Sequence, residues 1–171
     1  MMRFLEAATT YFTGEKIEAL VFILPLGLLC LVFGGWLLSD GEGGFARGVA
    51  IPFLVMGLLL GVVGGIVGFR TPSQLARLEA AAAVSPASAL REEQVRMEKV
   101  NRAWPVYLAV WAAFGVVGLF LRFATRSDFV QGLGIALVLF GGIGLIVDGF
   151  AERRARPYTA ALAEAARTAA Q

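Results

Sequence analysis

Four stretches of this chain run without a single ionised residue for about 20 residues, the length of helix that crosses a hydrocarbon core. They are 19–38 (ALVFILPLGLLCLVFGGWLL), 48–69 (GVAIPFLVMGLLLGVVGGIVGF), 104–121 (WPVYLAVWAAFGVVGLFL) and 129–147 (FVQGLGIALVLFGGIGLIV). A helix that is apolar on every face must be hidden from water. With 58% hydrophobic and 16% charged residues, a chain of 171 has too little polar surface to hide four of them in a soluble fold. The sequence therefore predicts an all-α integral membrane protein, one membrane domain over 1–171 with four transmembrane helices. The first stretch reads as a retained span rather than a cleaved leader. Its core is long and ends in Trp36-Leu37-Leu38, not in a small-x-small site.

The segments between spans carry further signals. In 1–14, Met1, Phe4, Leu5, Ala8, Tyr11 and Phe12 share one helical face, with Arg3, Glu6 and Thr13 elsewhere. This predicts a short N-terminal interfacial helix lying in the headgroup plane and stopped by Gly14. The polar connection 70–103 predicts a helical hairpin between the second and third spans. Thr71-Pro72-Ser73-Gln74 reads as a capped helix start. Ser85-Pro86 reads as the break between two arms, and Leu90, Met97 and Trp104 recur every seventh residue on the second arm. Glu92–Arg96 and Glu98–Arg102 are spaced as i,i+4 ion pairs. Twelve of the 15 Lys and Arg residues lie in the N-terminal segment, this connection and the C-terminal tail; the other connections hold Arg47, Arg122 and Arg126. The excess of positive residues on one side predicts cytoplasmic termini and a cytoplasmic hairpin in a multi-pass protein of a bacterial inner membrane.

The residue inventory removes most chemistry. There is no histidine and one cysteine, Cys30, so His-ligated metals, Ser-His or Cys-His pairs and an intrachain disulfide are excluded. A formal charge of +2 gives no basis for nucleic-acid binding. No catalytic, cofactor-binding or metal-ligating residue is expected, and the partners implied are the lipid bilayer and either another protein or a second copy. Cys30 reads as a small packing residue, and Pro25 as a kink in the first span. Asp148 is the most notable acid. It sits at the end of the fourth span, seven residues on from Gly141, and its expected partner is Arg70 at the end of the second. Gly57, Gly61 and Gly65 form consecutive G-x-x-x-G steps, the pattern that lets membrane helices approach closely. With Gly141 they are the candidate surface for helix packing or partner docking.

Three strings, YFTGEKIEALVFILPLG (11–27), RMEKVNRAW (96–104) and VDGFAERRARPY (147–158), resemble a group of small four-span bacterial inner-membrane proteins of poorly assigned function. Some of that group are thought to be immunity or accessory proteins of type VI secretion toxins. The resemblance implies a non-catalytic role and carries over no site residue. The expected function is thus a non-enzymatic, partner-binding membrane protein that engages a membrane-active toxin or another membrane subunit. The alternative is a small oligomeric transporter, channel or holin-like pore.

Overall fold

The computed structural model describes residues 2–169. Each apolar stretch lies in a helix that continues well past it at one end. Helix α1 (Met2–Ile17) passes through a π-helical segment (Glu18–Ile23) into α2 (Leu24–Ser39). Helices α3 (Gly43–Val84), α4 (Pro86–Ala124) and α5 (Asp128–Ala169) follow, of 42, 39 and 42 residues. A 42-residue helix is about 63 Å long, twice a hydrocarbon core. All four long helices, counting α1–α2 as one, are apolar and long enough to cross a membrane.

The polar part of each helix, N-terminal in the first and in α4 and C-terminal in α3 and α5, builds a separate layer, here called the head. Phe4, Ala8, Tyr11 and Phe12 of α1 pack with Leu78 of α3, Leu90 and Met97 of α4, and Ala155, Tyr158 and Leu162 of α5. The N-terminus, the α3–α4 turn and the C-terminal tail therefore share one end of the molecule. The apolar face of α1 was expected to meet lipid headgroups. It meets protein instead: Phe4 is 1% and Phe12 2% exposed. Nor does Gly14 stop the helix. A Cβ there would lie 2.6 Å from Arg154 Cδ, so the glycine leaves room for that side chain to cross α1 and pair with Glu18.

The helical hairpin of 70–103 is present, broken at Ser85, but its first arm is not a new helix. Helix α3 runs through Pro72 without interruption, and the Thr71 hydroxyl donates to the Val67 carbonyl (2.6 Å) rather than capping. Leu90 and Met97 are buried and Trp104 packs against them, as their spacing predicts. The Glu98–Arg102 pair forms; Arg96 turns to Glu93, three residues back, instead of to Glu92.

In the apolar layer, α3 packs between α2 and α5, and α5 packs on α4; the backbones of α2 and α4 do not approach each other closely. Only 6% of the apolar window of α4 is buried, against 33% for α3 and α5, so α4 is the least covered span. Cys30, Val49, Met56, Ala136 and Phe140 form the core of this layer. The kink expected at Pro25 takes the form of the π-helical segment just before it, where the Leu24 N–H donates five residues back to the Ala19 carbonyl. Proline lacks an N–H and crowds the preceding turn, and a wider turn relieves both. Gly43, with φ +82, makes the turn from α2 into α3, a conformation that suits glycine.

Candidate functional site

Four helices leave one apolar cavity among them, of about 430 Å³. Leu59, Leu60 and Val63 of α3 and Phe140, Ile143 and Gly144 of α5 form its floor. Phe22, Ile23 and Leu26 form one wall, and Val110, Trp111 and Phe114 of α4 the other. Several of its lining residues, Phe22, Leu59, Val63 and Val110, are exposed, so the cavity is a cleft open at the side of the helices. Its polar end is Asp148. The Trp111 indole Nε1 donates to Asp148 Oδ2 at 2.6 Å. Gly144 makes this possible: a Cβ there would sit 2.1 Å from the indole Cδ2, so only a glycine lets the ring lie against α5.

Asp148 therefore bonds Trp111, not Arg70, and no Lys or Arg pairs with it among the described residues. The reason is register. Helices α3 and α5 run in the same direction, with Gly44 beside Asp128 and Phe129. Arg70 consequently falls level with Arg154, about a turn and a half beyond Asp148. There its charge acts on Glu15.

The glycine positions divide in two. A Cβ on Gly57 would lie 2.8 Å from the Leu31 N and one on Gly141 2.7 Å from the Gly115 N, so both sit against a neighbouring backbone. Gly61 and Gly65 were expected to share this role, but a Cβ on either meets nothing within 4 Å. Gly27, Gly48, Gly64 and Gly134 do the close packing instead.

A second polar cluster lies in the head. Arg96 donates twice to Glu93, from Nε to Oε2 (2.8 Å) and from Nη2 to Oε1 (2.6 Å), and Tyr158 OH donates to the same Oε1 at 2.6 Å. The guanidinium lies 5.2 Å from the centre of the Phe12 ring and 5.9 Å from that of Tyr11. Burial alone would lower the Arg96 pKa; the hydrogen bonds and charge of Glu93 outweigh it and hold the group firmly cationic. Burial and the hydrogen bond to Glu93 together raise the Tyr158 phenol above its ordinary range. An Arg–Glu–Tyr network of this kind ties α4 to α5, and the stacking of Arg96 on Tyr11 and Phe12 brings in α1. Glu93 was missed in the sequence, although it lies three residues after Leu90 and four before Met97, on the buried face. No cluster of three or more His, Cys, Asp or Glu side chains placed to hold a metal ion occurs among the described residues.

Glu15 gives this region a pH dependence. Burial raises its pKa above the ordinary 4.5, against the opposing pull of Arg70, Arg96 and Arg154. A carboxyl whose folded pKa is raised favours folding in its protonated form, so the stability it contributes is complete below about pH 4.5 and is lost as pH rises through the folded value. Glu15→Gln should therefore match the wild type in thermal unfolding near about pH 4 and exceed it at about pH 7. A variant less stable at neutral pH would show that Glu15 is needed as the counter-charge of Arg70.

The geometry defines a class: an all-helical protein with four membrane-length helices, a helical head and a laterally open apolar cleft. In comparisons with known proteins, no family model, no curated protein and no solved structure matches the chain.

Proposed function

We propose that this is a non-catalytic, multi-pass protein of a bacterial inner membrane, with both termini and the head in the cytoplasm, that acts by binding another membrane-embedded protein along α4. The observation that carries this is the bare flank of α4. Val106, Ala109, Ala113, Val116 and Phe120 are exposed at helical spacing on the least covered span. Small residues at i and i+4, as at Ala109 and Ala113, let a partner helix approach closely. The resemblance of three of its strings makes a membrane-active toxin the first partner to try.

A photo-crosslinking residue at Ala113 tests this in native membranes. A discrete protein adduct is expected there and not at Val32, on the far side of α2. Lipid adducts alone at both positions would overturn the reading. Orientation is tested separately: reporter fusions after Gly43 and Ser127 should register the periplasm, and one after Ala83 the cytoplasm. A cytoplasmic signal at Gly43 would reverse the assignment.

A second reading, a small oligomeric transporter, is favoured by the cleft, which places the Asp148 carboxylate against a membrane-accessible apolar cavity.

A further inference from the structure

A carboxylate placed against hydrocarbon without a cation is costly, and such groups in membrane proteins generally have something to bind. Asp148 has one satisfied oxygen: Oδ2 accepts from Trp111, while Oδ1 accepts no hydrogen bond from a described residue. The indole is itself locked, by its seat on Gly144 and by that hydrogen bond, so it fixes the carboxylate rather than neutralising it. No Lys or Arg lines the cleft. Beyond Asp148 the cleft is apolar as far as Phe140, eight residues back along α5 and thus about 12 Å toward the middle of the apolar layer. Phe22, Trp111, Phe114 and Phe140 supply aromatic surface along that length.

We propose that the cleft binds a lipophilic organic cation, with its charge at Asp148 and its apolar body along the aromatic lining. Charge complementarity selects the class. An acyl chain or neutral lipophile would fill the apolar length and leave the anion without a partner. A small hydrated cation would satisfy the anion and leave the apolar walls unused. A cation carrying its own apolar body answers both, and aromatic faces attract weakly hydrated cations further. The exposed lining residues Phe22, Leu59, Val63 and Val110 leave the cleft open to such a molecule from the bilayer. Its site is distinct from the bare flank of α4, so a protein partner and a cation can bind together. The proposal shares its cleft with the transporter reading but requires binding only, not transport.

The test uses the purified full-length chain in detergent and labelled tetraphenylphosphonium in equilibrium dialysis. Saturable binding is expected, with neutral triphenylphosphine oxide failing to compete. Asp148→Asn should weaken binding roughly tenfold or more, and Asp148→Glu should retain most of it. Should Asp148→Asn not remain monodisperse, Val63→Trp fills the cleft while leaving the carboxylate in place, and it should abolish binding. Absence of saturable binding, undiminished binding by Asp148→Asn, or equal competition by the neutral probe would each overturn the proposal. Binding without flux across proteoliposomes would leave it standing and defeat the transporter reading alone.

Discussion

Tyr158→Ala should be the most damaging side-chain truncation in the head, costing about 3–5 kcal/mol, the usual range for removing a buried aromatic. The ring is 1% exposed. It stacks on Tyr11 with centroids 4.7 Å apart and lies 6.1 Å from the rings of Phe4 and Phe12. The truncation would open a cavity where α1, α4 and α5 meet and strip Glu93 of one donor. Tyr158→Phe separates the two effects. It keeps the ring and loses the hydroxyl, while Glu93 keeps both bonds from Arg96, so the cost should fall to about 1.5–3 kcal/mol, as for a hydrogen bond to a charged group. Hydrogen exchange along α1 reports the outcome directly, because α1 is held to the rest of the head by this cluster. Protection of α1 should collapse in Tyr158→Ala and survive in Tyr158→Phe. Unchanged exchange in both would mean that α1 draws its order from the membrane surface, the arrangement its amphipathic sequence first suggests.

That ambiguity shows where the sequence stops being informative. Spans are legible because each depends only on its own residues: no charge, enough length. The break at Ser85-Pro86 and the buried row Leu90, Met97 and Trp104 are local for the same reason. An amphipathic helix such as 1–14 reveals that one face is apolar but not whether lipid or protein covers it. Thr71-Pro72 carries a sound start signal, yet a proline inside a long helix is tolerated where neighbouring helices hold it, as Glu15 and the turn at Val67 hold this one. Asp148 was recognised as notable and given the wrong partner, because its height relative to Arg70 depends on the register between α3 and α5. That register is set at the far end, where Gly44 meets Asp128 and Phe129. Glycine spacing fails similarly. G-x-x-x-G identifies a face, but helix α3 has neighbours on two sides, and only the packing shows which glycines lie between backbones.

The second large effect follows from that packing. Gly141→Leu should sharply lower the unfolding midpoint and the monodisperse fraction, whereas Gly65→Leu should leave both intact. At Gly141 an added Cβ would lie 2.7 Å from both the Gly115 N and the Trp111 carbonyl oxygen, and backbone atoms cannot rotate out of the way. Helices α4 and α5 would have to separate along their length, at a cost of about 3 kcal/mol, the upper end for overpacking. The same displacement would draw Trp111 from Asp148. Gly64→Leu should act alike between the first two spans, its Cβ falling 2.7 Å from the Leu24 N. Gly61→Leu is the discriminating case. Its backbone touches α2, since a Cβ on Gly27 would reach the Gly61 N at 2.5 Å, but its own Cβ would point into open space. The direction of the side chain, not the closeness of the helix, decides the outcome, so Gly61→Leu should shift thermal unfolding by little. Size-exclusion profiles and unfolding midpoints of the four variants measure this. Equal damage from Gly61→Leu and Gly141→Leu would mean that the open face of α3 is covered in the membrane, by a second copy or by a partner helix.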